Sequence, residues 1–280
     1  MSKTNEFVIK KNALTEYNGN DTDIVIPETV ERCEGAPVFL GKEEPFSLTL
    51  SPNMTCFFND VLSEGLAVLN IPAGTVFELS DCSPNHTAFF ARLKEINVDP
   101  ENNSCASVNG ILYSKDMKTL YACPAVYEGK VDIPATVTTI ARRAFSGCKL
   151  ITEIILPDSV VCIEDQAFAD CKTLKKMVLS DALSTVGKEA FLRCAKLTSA
   201  GPKGGADKKI CLEYPWTEVI PENAFSGMRN LKKVVLPETV REIKKNAFKS
   251  CKNLEEINFS ADIKCDKKLF KDCVKLSIEV

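Results

Sequence analysis

The second half of the chain repeats one pattern of apolar and polar positions about every 23 residues. An Ala-Phe pair, or a Leu-Phe pair in the last unit, marks each repeat, and its aromatic residue is Phe145, Phe168, Phe191, Phe225, Phe248 or Phe270. The spacings are 23, 23, 34, 23 and 22 residues, so one unit carries an insertion of 34 − 23 = 11 residues. A period of roughly 20 to 50 residues indicates structural repeats that stack on one another.

Each repeat contains a short apolar strand. In the unit that begins at Cys171, Leu174, Met177 and Leu179 have the spacing L-x-x-L-x-L, which is typical of a leucine-rich strand. An apolar-Pro pair such as Leu156-Pro157 ends the strand in other units, because proline cannot donate to a sheet ladder. A Val-x-x-Ile step follows and suits a second short extended segment.

The Ala-Phe step predicts a single helical or 3₁₀ turn, as in residues 188–191, with the Phe ring in the core. Three residues after the Phe, the chain has Cys148, Cys171, Cys194, Met228, Cys251 or Cys273. One coil cannot bury its own apolar face, so the coils must stack. We therefore predict an α/β repeat fold, mostly β with short helical or 3₁₀ turns.

The repeated residues resemble the BspA-like leucine-rich-repeat family. The shared unit is L-x-x-(I/V)-x-(L/I)-P-x-x-V-x-x-I-x-x-x-A-F-x-x-C, and it extends over residues 131–280 apart from the insertion and an irregular last unit. The resemblance implies a right-handed leucine-rich-repeat solenoid of bacterial origin that binds a protein or a surface. It also implies a cell-surface location, which is common in that family.

Residues 1–130 are less regular, and we interpret them as a degenerate leucine-rich-repeat or cap region. Ile26-Pro27 and Ile71-Pro72 are 45 residues apart, close to two repeat lengths. The alternative is a separate small domain with a boundary near Asp99-Pro100. Residues 108–122 predict an inserted β-hairpin, and residues 201–216, rich in Gly and Lys, predict a loop insertion in the regular repeats of 131–280.

Composition narrows the possible functions. The chain has 35 Lys+Arg against 38 Asp+Glu, a formal charge of −3, which argues against a nucleic-acid-binding protein. The sequence shows neither a secretory signal nor an apolar run long enough to insert in a membrane. Thirteen cysteines, an odd number, suggest reduced thiols and a cytoplasmic protein. A cell-surface or secreted location is the alternative if the chain is a processed fragment of an adhesin.

Catalytic chemistry has little support in the sequence. A cysteine nucleophile needs a base, usually histidine, and the one histidine, His86, lies in a polar stretch that suits an exposed turn. No C-x-x-C pair occurs, whereas structural zinc sites use ligands at short spacing. We interpret the repeated cysteines as buried thiols that face backbone groups. We predict no catalytic residues, metal or cofactor, and a cysteine-dependent enzyme is the weakest alternative.

The outward strand positions are the candidate partner-binding residues. Aligned repeats place them in two columns, the first of Glu153, Lys176, Lys233 and Glu256 and the second of Ile155, Val178, Val235 and Asn258. Parallel stacking would set neighbouring members about 4.8 Å apart. We expect this stripe to bind a protein partner, against the alternative of an ordinary strand face. The sequence identifies neither that partner nor the oligomeric state.

Overall fold

The computed structural model describes residues 6–34, 38–39, 41–57, 63–78, 92–128, 131–202, 211–213, 218–236, 238–258, 262–266 and 268–276. The chain divides into two compact units, Met1–Tyr127 and Glu128–Val280. Strands, turns and irregular segments make up the described residues, and none of these residues lies in a helix. Coils of short parallel strands form most of both units, which is the leucine-rich-repeat solenoid fold.

The first unit contains twelve strands among its described residues. They are β1 (Phe7–Lys10), β2 (Ala13–Tyr17), β3 (Asp23–Val25), β4 (Arg32–Cys33), β5 (Phe46–Thr49), β6 (Thr55–Phe57), β7 (Leu66–Ile71), β8 (Val76–Glu78), β9 (Glu95–Val98), β10 (Cys105–Val108), β11 (Ile111–Ser114) and β12 (Thr119–Ala122). Strands β3, β5, β7 and β9 pair in parallel in that order. Their register aligns four fully buried residues, which are Ile24, Leu48, Leu69 and Ile96.

Three consecutive strands at the end of the first unit, β10, β11 and β12, pair in antiparallel fashion. β10 pairs with β11 through a two-residue turn at Asn109 and Gly110, both of which have positive φ, as a type I′ turn requires. β11 pairs in turn with β12. β11 and β12 are the two complete strands within residues 108–122, and β10 pairs with the other edge of β11. The role of residues 1–130 as a cap stays a prediction.

The second unit also contains twelve strands among its described residues. They are β13 (Thr139–Ile140), β14 (Glu153–Ile155), β15 (Cys162–Ile163), β16 (Lys176–Leu179), β17 (Thr185–Val186), β18 (Ser199–Pro202), β19 (Cys211–Glu213), β20 (Val219–Ile220), β21 (Lys233–Val235), β22 (Glu242–Ile243), β23 (Glu256–Ile257) and β24 (Lys264–Cys265). One parallel sheet has the order β14-β16-β18-β19-β21-β23. Strands β13-β15-β17 and β20-β22-β24 also pair in parallel.

The insertion contributes an additional strand, whereas the sequence indicated a loop over residues 201–216. β19 lies within that segment, pairs with β18 at Ala200 and Leu212, and pairs with β21 on its other side. Residues 203–210 and 214–217 lie outside the described residues. The insertion thus adds one strand to this sheet, between β18 and β21.

The Ala-Phe step is a series of β-turns, and the prediction of a helical or 3₁₀ turn there was wrong. The Phe168 N–H donates to Ala190 O of the next coil at 2.8 Å, whereas the Ala169 N–H donates locally to Gln166 O at 3.0 Å. Left-handed backbone at Gln166 (φ 58°) and Asp170 (φ 59°) interrupts the right-handed course that a helix needs. Alternate amides consequently face the neighbouring coil.

The same two left-handed positions recur in every complete repeat. Two residues before the Phe they are Arg143, Gln166, Glu189, Asn223 and Asn246, and two residues after it they are Gly147, Asp170, Arg193, Gly227, Ser250 and Asp272. Left-handed backbone costs a non-glycine residue about 1–2 kcal/mol. The hydrogen bonds between coils offset that cost, since an unpaired buried amide would cost a similar amount.

Stacked phenylalanine rings run through the centre of the second unit. Successive centroids from Phe145 to Phe270 are 5.0, 5.4, 5.6, 5.5 and 6.0 Å apart, and neighbouring planes differ by at most 20°. Phe145, Phe168, Phe225 and Phe248 have no exposed surface. The predicted core role of these rings is confirmed.

We expect Phe168→Ala to lower the melting temperature sharply. The ring is fully buried and stacks on both sides, and removing such a side chain costs about 3–5 kcal/mol. Thermal unfolding followed by circular dichroism measures the change. Leu150→Ala is the control, because Leu150 is 48% exposed and its removal should change the melting temperature little. Equal melting temperatures for Phe168→Ala and the wild type would contradict the stacked core.

Candidate interaction surface

The outward columns lie on the long parallel sheet of the second unit, in the predicted register. Glu153 pairs with Lys176 and Ile155 with Val178. Farther along the sheet, Lys233 pairs with Glu256. Strands β18 and β19 lie between β16 and β21, so the columns form two blocks instead of one continuous stripe.

Ion pairs neutralise the charged column within each block. Lys176 Nζ lies 2.7 Å from Glu153 Oε1, and Lys233 Nζ lies 2.9 Å from Glu256 Oε2. About half of each side chain is exposed, so each pair adds at most about 1 kcal/mol of stability. Their effect on the surface is larger than their effect on stability, because they leave no net charge beside the apolar column.

The second column has aliphatic side chains at its first three positions and the amide side chain of Asn258 at its last. Ile155 is 42% exposed, while Val178 and Val235 are half-buried. Asn258 Nδ2 donates to Leu236 O at 2.7 Å, and its Oδ1 accepts from the Leu236 N–H at 2.5 Å. The Asn258 side chain therefore pairs with the backbone of the preceding coil, as another strand would, and is held in a structural contact.

The first unit carries a different, polar strand face that sequence reasoning missed. Asn70 Nδ2 donates to Thr49 Oγ1 at 3.2 Å, and Asn97 Nδ2 donates to Asn70 Oδ1 at 3.1 Å. In the adjacent column, Ser47 Oγ donates to Asp23 Oδ1 at 2.6 Å. The available signal was the recurrence of Thr or Asn between the apolar residues of successive strands.

The repeated cysteines point their thiols at the backbone, as predicted. The Sγ atoms of Cys171, Cys194, Cys251 and Cys273 donate to phenylalanine carbonyls of the preceding coils at 3.0, 3.0, 3.3 and 3.1 Å. The neighbouring Cys194 thiol and burial raise the pKa of Cys171 well above the ordinary thiol value, and Cys273 and burial do the same for Cys251. Cys171 and Cys251 are therefore held in the unreactive protonated form, whereas the hydrogen bond with Cys251 lowers the pKa of the half-buried Cys273.

Side chains at the first left-handed position form a polar ladder that the sequence did not reveal. Arg143 Nε donates to Gln166 Oε1, and Gln166 Nε2 donates to Glu189 Oε2. Asn223 Nδ2 continues the ladder to Glu189 Oε1 at 3.3 Å. At the second left-handed position, the Arg193 guanidinium pairs with both carboxylate oxygens of Asp170. These groups satisfy one another along the turns.

Several other elements of the sequence analysis can be placed only in part. His86 lies outside the described residues. Among the residues that the structure describes, no group of three or more His, Cys, Asp and Glu side chains could hold a metal ion. Within the same residues, no helix is long and apolar enough to cross a membrane.

A family model for the BspA-type leucine-rich repeat region matches residues 117–204 and 210–278 in six copies. Among solved structures, a leucine-rich repeat protein of Eubacterium ventriosum is 19% identical with a TM-score of 0.67, covering 94% of this chain and 73% of its own. The pneumococcal vaccine antigen PcpA is 20% identical with a TM-score of 0.69, covering 89% of this chain, which spans 60% of the PcpA chain.

A leucine-rich cell surface protein of Faecalibacterium prausnitzii is 17% identical with a TM-score of 0.55, and the match covers 93% of this chain and 96% of that one. At these identities the likeness shows a shared fold. No curated protein matches the chain.

We predict that the thiol ladder makes the fold sensitive to alkaline pH. Cys171 and Cys251 have raised pKa values in the folded state. As the pH rises, the unfolded state therefore loses these thiol protons at a lower pH than the folded state does. The contribution of these two thiols to the free energy of unfolding should stay constant below about pH 8.5, the unfolded thiol value, and fall above it by up to about 1.4 kcal/mol per pH unit for each thiol. Urea unfolding on both sides of that pH measures the loss.

The thiol variants separate this effect from other titrations. Cys171→Ala/Cys251→Ala should lose less stability on going to alkaline pH than the wild type does. Cys265→Ala, at an exposed cysteine, should lose as much as the wild type. The same alkaline loss in all three proteins would show that the buried thiols are not responsible.

Proposed function

Because the chain belongs to the BspA-type leucine-rich repeat family, we propose that it is a non-enzymatic scaffold that binds a protein partner through its strand face. The strand face is the surface of the second unit that carries Glu153, Ile155, Lys176, Val178, Lys233, Val235, Glu256 and Asn258. Repeat scaffolds generally present such surfaces to partners. The paired, partly exposed Ile155 and Val178 are the observation that carries the proposal.

The composition of the strand face favours a protein over other ligands. Interface centres are depleted in net charge and contain apolar side chains, with polar groups at the rim. Here the aliphatic column of Ile155 and Val178 lies beside the neutralised pair Glu153 and Lys176. A partner would gain by covering the apolar column without having to strip water from an uncompensated charge.

The proposal that the chain does not catalyse a reaction draws on two buried thiols of the ladder, and Cys273, whose pKa the hydrogen bond with Cys251 lowers, is not one of them. Cys171 and Cys251 hold their protons more tightly than ordinary thiols, the opposite of what a cysteine nucleophile requires. The cysteine-dependent alternative then depends on the pair of His86 with a less buried cysteine. Retention of partner binding in His86→Ala after alkylation of accessible thiols would favour the scaffold.

Each of two cellular locations, the cytoplasm and the cell surface, is favoured by a different observation. The hydrogen-bonded thiols of Cys171, Cys194 and Cys251 favour the reducing cytoplasm. The likeness in fold to a leucine-rich cell surface protein favours the cell surface, where the same strand face would serve adhesion. Fractionation of the native cells, with detection of the chain by antibody, distinguishes the two.

We expect Val178→Asp/Val235→Asp to lose the partner that the wild-type chain captures from native lysate. A carboxylate in the centre of the strand face would have to be buried without a counter-charge, which costs several kcal/mol in a dry interface. Capture followed by mass spectrometry and quantitative immunoblotting measures the loss, and melting temperatures verify that each variant is folded. Ile155→Asp, at a more exposed position, replaces the double variant if the latter unfolds.

A matched control separates the strand face from a general effect of added charge. Val161 and Val274 are 40% and 78% exposed, and neither belongs to the strand face. Val161→Asp/Val274→Asp should capture as much partner as the wild type. Equal recovery by the strand-face variant and the wild type would refute the proposal.

A further inference from the structure

One edge of the coils of the second unit carries a net positive charge. The turn after each ladder cysteine or Met228 supplies it, and we call these exposed side chains the basic edge: Lys149, Lys172, Lys175, Lys196, Arg229, Lys232, Lys252 and Lys275. The six turn segments, 149–152, 172–175, 195–198, 229–232, 252–255 and 274–276, contain these eight basic residues and one acidic residue, Glu255. Their charge of 8 − 1 = +7 contrasts with −3 for the whole chain.

A repeated backbone turn sets the direction of these side chains. The Leu174 N–H donates to Cys171 O at 3.3 Å, and the Leu231 N–H donates to Met228 O at 3.2 Å. A four-residue turn of this kind directs its two central residues into solvent. Lys172 and Arg229 occupy such central positions, as do Lys196, Lys252 and Lys275 in the turns that the Leu197, Leu254 and Leu276 amides close.

Side-chain hydrogen bonds hold the turns of successive coils in line. Thr173 Oγ1 donates to Ile151 O of the preceding turn at 3.0 Å, and Asn253 Nδ2 donates to Arg229 O at 2.8 Å. Neighbouring rungs of a parallel stack are about 4.8 Å apart. The basic edge is therefore a row of cationic side chains at a short spacing within each of two blocks, with β19 inserted between β18 and β21.

Nearby carboxylates compensate this row only weakly. Lys172 Nζ lies 3.9 Å from Asp170 Oδ1, and Lys275 Nζ lies 3.9 Å from Glu255 Oε1. These contacts are long, and the lysine side chains are 72% and 52% exposed, so water screens them. The edge keeps most of its positive charge, unlike the strand face.

We propose that the basic edge binds a linear anionic polysaccharide, with carboxylate or sulfate groups along the sugar chain. A polymer with regularly repeated charges can contact several rungs at once, and each neutralised charge releases a counterion. The flexible lysine side chains adjust to the spacing of the polymer. This binding uses residues outside the strand face and does not depend on the proposed protein partner.

The surroundings of the basic edge favour a polysaccharide over other polyanions. Single-stranded nucleic acids bind where bases stack on exposed aromatic rings, and the large exposed hydrophobic residues of the described chain are aliphatic. Protein partners are held by aromatic or aliphatic anchors in pockets, whereas the central turns present Lys172, Thr173, Arg229, Asn230 and Lys252. Hydroxyl and amide groups beside cations suit the hydroxyls and anionic groups of a sugar chain.

The test uses the full chain and heparin as the sulfated polysaccharide probe, with neutral dextran as the uncharged comparison. Binding is measured by isothermal titration calorimetry over a series of salt concentrations, starting at about 0.1 M, where the Debye length is about 10 Å. In Lys172→Gln/Lys196→Gln/Arg229→Gln, the turns of three successive repeats each lose one positive charge. We expect at least a roughly tenfold weaker Kd and a salt dependence reduced by about one unit of slope for each lost contact.

The control variant changes the total charge by the same amount on another part of the coils. Arg142, Lys244 and Lys245 are exposed and lie outside the turns of the basic edge. Arg142→Gln/Lys244→Gln/Lys245→Gln should bind heparin within about twofold of the wild type, because only charges in contact with the polymer release its counterions. Melting temperatures verify the fold of both triple variants.

Four results would overturn the proposal. They are an absence of heparin binding by the wild type, an equal loss in both triple variants, equal affinity for single-stranded DNA matched in charge, and equal affinity for poly-glutamate. Unchanged heparin binding by Val178→Asp/Val235→Asp would separate this site from the strand face, so that either proposal can fail without the other.

Discussion

Hydrogen bonding and ring stacking between coils are the interactions on which the rest of the structure depends. A coil of about 23 residues is too small to bury its apolar side chains alone. In the second unit the Phe168 N–H therefore bonds to the next coil at 2.8 Å, and its ring stacks between Phe145 and Phe191. The same N–H bond recurs from Phe191 to Ala224 O at 2.9 Å, across the repeat that carries the insertion.

These contacts divide the residues of a repeat into structural and available positions. The phenylalanine fills the core, the cysteine thiol satisfies a carbonyl of the preceding coil, and the left-handed residues turn alternate amides toward the next coil. The outward strand positions other than Asn258, and the basic residues of the turn after the cysteine, have no such task. Their residues vary from repeat to repeat. The outward strand positions form the neutral, partly apolar strand face, and the turns after the cysteines form the basic edge. Both proposals concern positions that the stack leaves open.

The sequence predicted what repeats at fixed spacing and missed what depends on contacts between repeats. The 23-residue period and the Ala-Phe and Cys positions were sufficient for the solenoid, the buried rings and the register of Glu153 with Lys176. The left-handed turns were missed, because Lys188-Glu189-Ala190-Phe191 has the local propensity of a helix, and the bond from Glu189 N–H to Glu222 O joins residues 33 positions apart. Gly or Asp two residues after Phe145, Phe168, Phe225 and Phe270 was the available signal. Strand β19 was missed because the sequence around it is rich in Gly, which indicates a loop. The strand forms through its pairing with β18 and β21.

Amide hydrogen exchange, resolved by residue with NMR, tests the central role of the contacts between coils most directly. The amides of Phe168, Phe191 and Phe225 donate across coils at 2.8 to 2.9 Å, so they should open only when the stack itself unfolds. We predict that these three exchange among the slowest in the second unit, with free energies of opening close to that of global unfolding. Exchange at these amides as fast as at the exposed turn residue Asn230 would contradict the account.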